Sequence, residues 1–122
     1  MAASSFRDLR VWRDAMSLTT NIYMLTAKFP KHELYGLSQQ IRRAAVSVPS
    51  NIAEGKGRYS DRDFVRFLLV ARGSLLELET QIIIAQELGY WPKGDVDRLL
   101  GMAETVGRAL SGLINSLSQQ AA

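Results

Sequence analysis

Apolar residues recur along this chain at steps of three and four, in four blocks separated by short polar breaks. The first block places Trp12, Ala15, Met16, Thr19, Ile22, Tyr23 and Thr26 on one stripe, widened by Leu18 and Leu25. The second carries Leu34, Leu37, Ile41, Ala44, Ala45, Val48 and Ile52. The third repeats Phe64, Phe67, Leu68, Ala71, Leu75, Leu78, Ile82 and Ala85, with Val65, Leu69, Leu76 and Ile83 forming another stripe beside it. The fourth runs Val96, Leu99, Ala103, Val106, Leu110, Leu113 and Leu117 at alternating spacings, as in coiled-coil packing. Each pattern is one face of an α-helix, and no period-two alternation competes with it.

The breaks between blocks predict the helix ends. Asp8 is placed to cap the first helix. Pro30 disfavours helical geometry at Phe29 and stops it. Gly36 is a weak point in the first turn of the second helix, and Gly55 and Gly57 are suited to the left-handed conformation that ends it. Ser60 followed by Asp63 reads as an N-cap with an acidic third residue, near to a capping box, for a helix from about Asp61 to Leu88. Gly89 follows as its natural C-terminal stop. Connections of a few residues make consecutive helices antiparallel neighbours, so the expected fold is an all-α, up-down-up-down four-helix bundle. Residues 1–122 form one domain with an ordered core of about 6–117, the first five residues and the final SQQAA being expected to fray.

The second helix is the unusual one. Its middle is built of small residues, Ala44, Ala45, Ser47, Ser50 and Ala53, over which another backbone can approach closely. Pro49 sits inside it, removing one ladder hydrogen bond and predicting a kink between Ala45 and Pro49. The freed Ala45 carbonyl then needs water or a hydroxyl, with Ser50 as one candidate donor.

The segments FRDLRVWRDA, RRAAVSVPSNIAEGKGR and LLELETQIIIAQELGY, in that order, resemble the small four-helix-bundle proteins encoded in intervening sequences of bacterial 23S rRNA genes. The resemblance spans roughly Phe6 to Leu117. It implies a bundle with no established enzymatic role. Wider relatives include the accessory variability determinant of diversity-generating retroelements, a pentameric barrel that binds nucleic acid and a reverse transcriptase. Five copies in a ring is therefore what the resemblance implies for assembly.

Self-association is also expected from the residues themselves. The second stripe of the third helix would leave a contiguous apolar patch on a monomer. Gly101, Gly107 and Gly112 lie off the core stripe of the fourth helix, where each costs ~1 kcal/mol of helix propensity relative to Ala. Such positions suit a closely packed neighbour.

Composition narrows the chemistry. The chain has no cysteine, which excludes disulfides and thiolate metal sites and fits a reducing compartment. Its N-terminus lacks the apolar core of a secretory signal, and its apolar runs are far shorter than the ~20 residues of a membrane span. The expected location is cytoplasmic, with no membrane partner. Net charge is only +3 but unevenly spread: Arg7 to Arg72 hold 12 cations against six carboxylates, and Gly73 to Glu104 hold two against six. A basic half points to anionic partners, RNA or DNA.

No catalytic or metal constellation appears, and no cofactor is implied. His32 is the only histidine, in a loop where it reads as solvated or turn-capping. GKGR lacks the phosphate-loop spacing and ends a helix rather than following a strand. Lys56, Arg58, Arg62 and Arg66 are the candidate nucleic-acid contacts, diluted by Glu54, Asp61 and Asp63; a solvated helix end is the competing reading. Arg42 and Arg43 lie roughly 20 Å along the helix from that patch. Antiparallel packing sets them level with about Leu75 and Leu76, where Glu77 and Glu79 are candidate ion-pair partners within or between subunits. Tyr90 and Trp91 read as a plug for the end of the core, with stacking on bases as the alternative. Ser47, Asn51 and Glu54 form a polar stripe that needs partners if buried, or else lines a central channel of the oligomer. The sequence thus points to a non-enzymatic oligomeric scaffold binding RNA or DNA through repeated basic patches. The alternative is an adaptor that docks a partner protein.

Overall fold

The computed structural model describes residues 5–121. Among these residues the chain forms four α-helices and no strand: α1 Arg10–Thr26, α2 Leu37–Lys56, α3 Asp61–Glu87 and α4 Lys93–Ala121. Two 3-10 turns, Phe6–Asp8 and Lys31–Glu33, precede α1 and α2. α1 packs on α2, α2 on α3, α3 on α4 and α4 back on α1, while among the described residues no close backbone approach joins either diagonal pair. The helices therefore stand at the corners of a square around one buried apolar cluster. Of the ends expected to fray, residues 1–4 and 122 lie outside the described residues. Ser5 caps the first 3-10 turn, and α4 continues through Ala121.

Several helix ends differ from the sequence expectation for local reasons. Asp8 does not cap α1. Its carboxylate reaches back to the Ser5 N–H at 3.1 Å, closing a capping box on the preceding turn. α1 starts behind Leu9 with no side-chain cap. α2 begins at Leu37, so Gly36 is its N-cap rather than part of its first turn, and the Glu33 carboxylate accepts from the Leu37 N–H at 3.1 Å. Ser60 caps α3 as its sequence suggests, accepting from the Asp63 N–H at 3.1 Å. Gly89 alone takes the left-handed conformation, φ 76°, with the Tyr90 N–H reaching the Ala85 carbonyl at 2.9 Å.

Gly55 and Gly57 do not end α2 through left-handed backbone. Gly57 is right-handed at φ −78°, and Gly55 is buried within the helix. A Cβ on Gly55 would lie 2.7 Å from the Phe67 Cβ, 2.9 Å from the Phe64 ring and 3.2 Å from the Phe64 carbonyl oxygen. Gly55 is glycine because α3 crosses there, not because the chain turns.

The core stripes hold, with α1 rotated from the expected face. Val11, Ala15, Leu18, Ile22 and Leu25 are buried, whereas Met16 and Tyr23 are exposed and Trp12 is half-buried. Leu34 is also exposed, since it precedes α2. On α3 the main stripe is buried apart from half-buried Phe67, and Leu69, Leu76 and Ile83 of the second stripe face outward.

α2 runs through Pro49 as one helix. The Ala45 carbonyl that Pro49 cannot satisfy accepts from the buried Thr19 hydroxyl of α1 at 3.1 Å, not from Ser50. The same hydroxyl lies 2.8 Å from the Ala15 carbonyl, but that oxygen already accepts a helical N–H. Ala45 is the group that depends on Thr19.

Two stability experiments follow from these contacts. Gly55→Ala should destabilise by ~1–3 kcal/mol through overpacking against Phe64 and Phe67. Gly101→Ala, on an exposed face with no atom within 4 Å of its Cβ position, should instead stabilise by a sizeable part of the ~1 kcal/mol propensity gain. Opposite signs in urea unfolding would verify the close crossing. Thr19→Val should cost ~1–3 kcal/mol by leaving the Ala45 carbonyl unpaired. In a Pro49→Ala background, where a backbone N–H returns to that carbonyl, the same change should cost much less.

Candidate nucleic-acid interface

The crossing at Gly55 brings the last turn of α2 against the first turns of α3, and Phe64 and Phe67 form the floor beneath the cations that surround it. Lys56 Nζ stands 6.0 Å from the Phe64 ring centroid, and the Arg58 guanidinium lies 4.7 Å above the Phe67 ring. Arg58 also donates to Glu54 Oε1 at 3.1 Å, and Arg66 donates to Asp63 Oδ1 at 3.2 Å. Arg62 has no carboxylate within 4.0 Å among the described residues. The structure thus sets Lys56 and Arg58 over the Phe64 and Phe67 rings and leaves Arg62 and Arg66 on the first turns of α3, and Arg58 and Arg66 each hold a carboxylate. These pairs are exposed and worth at most ~1 kcal/mol, so phosphate can compete for the arginines.

Tyr59 belongs to this corner and was missed in the sequence. It sits fully exposed at the tip of the α2–α3 connection, between Arg58 and Ser60. An aromatic in a loop flanked by cations was the available signal. Its free ring faces can stack on unpaired bases beside cations that hold the phosphates.

Tyr90 and Trp91 are placed differently. Trp91 is only 2% exposed, and its indole N–H donates to the Leu25 carbonyl at the end of α1 at 2.9 Å. Its ring centroid lies 4.7 Å from that of Phe29. The Tyr90 ring packs on Phe29 at 5.1 Å, and its hydroxyl donates to Glu33 Oε2 at 2.7 Å. These rings close the end of the core, and Trp91 is buried too deeply to stack on a base. His32 is exposed, 3.4 Å from the Tyr90 hydroxyl.

Arg42 leans on α1. Its Nε donates to the Thr26 hydroxyl at 2.7 Å and its guanidinium lies 4.8 Å above the Tyr23 ring. Arg43 lines a polar groove of about 370 Å³ between α2 and α3 with Glu77, Ser47 and Ser74. Among the described residues, neither arginine comes within 4.0 Å of Glu77 or Glu79 in the protomer. The expected pairing therefore does not form within one chain: α2 is rotated so that Arg42 meets α1, and Glu79 faces α4. Glu77 accepts from the buried Gln81 at 3.3 Å. Burial, together with nearby Glu104, pushes the Glu79 carboxyl up. In the polar stripe of α2, Ser47 reaches across the groove, its hydroxyl 2.7 Å from that of Ser74, while Asn51 donates to Ser47 within the helix.

The Tyr90 hydrogen bond, helped by the Leu37 N–H, holds the Glu33 carboxyl below its ordinary value of 4.5. A carboxyl lowered by folding stabilises the protein above the unfolded value and loses that contribution as pH falls through the folded one. Thermal stability should therefore drop as pH is lowered from about 4.5. In Tyr90→Phe the protein should be less stable at pH 7, with a shallower acid loss. Melting curves across pH 3–7 measure both.

Among the described residues no cluster of His, Cys, Asp or Glu is arranged to hold a metal ion, and no helix is long and apolar enough to cross a membrane. No curated protein matches the chain in sequence. A solved structure from Bacteroides thetaiotaomicron, a protein of unknown function from the S23 ribosomal protein family, shares the fold with a TM-score of 0.80 at 20% identity. The alignment covers 86% of this chain and 95% of that one. The family model for the 23S rRNA-intervening sequence protein matches residues 7–112, nearly the whole of the four-helix core, and the chain belongs to that family.

Proposed function

We propose that this protein is a non-enzymatic, homo-oligomeric scaffold whose four helices run up-down-up-down and whose repeated α2–α3 corners bind RNA or DNA. The helix directions are supported by contact order: Ser47 meets Ser74, and the later Gly55 meets the earlier Phe64 and Phe67. The binding reading is carried by one observation, the fully exposed Tyr59 in a short connection with Lys56 and Arg58 before it and Arg62 and Arg66 in the first turns of α3 after it. Self-association is supported by two apolar surfaces on opposite sides of the square. One is the groove of Trp12, Met16, Val46, Pro49 and Ala53 between α1 and α2; the other is the outward stripe of α3. Five copies in a ring is the count that the sequence resemblance implies. Multivalency supplies the mechanism, because weak corners repeated around an assembly give avidity that no single corner has.

Binding should be weak per site, tolerant of sequence, and steeply salt-dependent. Four phosphate contacts on single-stranded RNA give a log–log salt slope no steeper than about −3 per subunit. Fluorescence anisotropy with labelled single-stranded and duplex oligonucleotides measures this. Arg58→Glu combined with Arg62→Glu should abolish binding with the assembly intact by native mass spectrometry. Tyr59→Ala should weaken single-strand binding about tenfold and spare the duplex. Unchanged binding in the double reversal would move the site elsewhere. Absence of wild-type binding at low salt would transfer the role to docking of a partner protein, and a wild-type monomer at micromolar concentration would refute the scaffold.

A further inference from the structure

The exposed side of α3 is polarised in a way its core contacts do not require. From Phe64 to Arg72 its only charges are the cations Arg66 and Arg72; from Gly73 to Glu87 its only charges are the carboxylates Glu77, Glu79 and Glu87. The outermost line of the same helix is Leu69, Gly73, Leu76, Thr80 and Ile83, spaced alternately four and three. Leu69, Leu76 and Ile83 are 43%, 58% and 45% exposed, and nothing lies within 4 Å of a Cβ position on Gly73. Large apolar residues alternating with small ones at this spacing form the seam by which one helix receives another.

Leu69 and Ile83 are equidistant from Leu76. Gly73 and Thr80 are the small residues between them, three before and four after it, and Arg72 and Glu79 lie four before and three after. A two-fold axis at Leu76 therefore sets Arg72 of one copy level with Thr80 of the other, one residue from Glu79. Arg72 and Glu79 border the seam on its α4 side, lining a groove of about 580 Å³ with Gly107 and Arg108. Neither has an ion-pair partner within 4.0 Å among the described residues. A partner helix in the parallel sense would lay cationic half on cationic half. In the antiparallel sense it lays the cationic half of each on the acidic half of the other.

We infer that two copies of this chain dock α3 against α3, antiparallel, about a two-fold axis at Leu76, with Arg72 of each beside Glu79 of the other. Such a contact is isologous, each copy using the same patch. This rests on the self-association proposed above and makes its α3 contact specific. A ring of five closes through contacts that are not two-fold, so in such a ring the α3 seam joins one ring to another.

The chain has no cysteine, so single thiols report the geometry directly. Oxidised Leu76→Cys should cross-link to itself. Leu69→Cys and Ile83→Cys should cross-link to each other when mixed, and neither to itself. Self-cross-linking of Leu69→Cys would overturn the antiparallel sense, and no cross-link at any of these positions would overturn the seam. Charge reversal gives a second readout. Arg72→Glu and Glu79→Arg should each weaken pairing about tenfold or more, because each sets like charges face to face. Mixed together they should pair as well as wild type, since both contacts become complementary. Sedimentation equilibrium measures this, with circular dichroism verifying that each variant folds. Loss of pairing in the mixture would overturn the proposal. An oligomer that persists unchanged in all these variants sinks the α3 seam and leaves self-association standing; a monomeric wild type sinks both.

Discussion

Much of the structure depends on the close crossing of α2 and α3 at Gly55. There the absence of one Cβ lets two backbones come together over Phe64 and Phe67. Moving α3 outward to admit a methyl group would lengthen the whole α2–α3 contact, the most extensive in the molecule. It would also part the Ser47 and Ser74 hydroxyls and open the polar groove beside Arg43. The crossing sets the floor of the basic corner as well. Phe64 and Phe67 are pinned by Gly55, and Lys56 and Arg58 lie over their rings.

A second constraint operates on the other side of α2. A proline inside a helix ordinarily costs ~3 kcal/mol or more, largely through a lost hydrogen bond and a carbonyl left without its donor. Here the donor comes from the neighbouring helix, so a buried hydrogen bond joins α1 and α2 at Thr19 and Ala45. The register of α1 on α2 is thereby fixed at Thr19 and Ala45, while the register of α2 on α3 is fixed at Gly55. α2 is the helix against which both neighbours are aligned.

The charges divide by location. The carboxylates Glu54 and Asp63 pair with Arg58 and Arg66 of the basic corner, so that corner carries less unpaired positive charge than its four cations alone would supply. The acids of the second half of α3 lie at the other end of the same helix, away from it. From Phe64 onward this helix carries only cations as far as Arg72 and only acids from Gly73, along one apolar seam, a distribution suited to meeting a copy of itself.

The hydrophobic period determined the four helices by itself, because a continuous apolar face at steps of three and four has no other folded use. It also placed Ser60 and Gly89 correctly, since a capping hydroxyl and a left-handed glycine act through their own backbone. The sequence also shows four cations on either side of the short α2–α3 connection, because their positions there follow from the helix ends alone. What depended on a neighbour was not legible. Gly55 and Gly57 look like turn glycines until α3 is seen to cross at one of them. Arg42 has acids in prospect on α3, yet the rotation of α2 gives it to Thr26 and Tyr23. The donor to the Ala45 carbonyl is 26 residues away in sequence, where no local pattern can point to it. Local geometry is written in neighbouring residues, but the rotation of each helix about its axis is decided only when all four close on a common core.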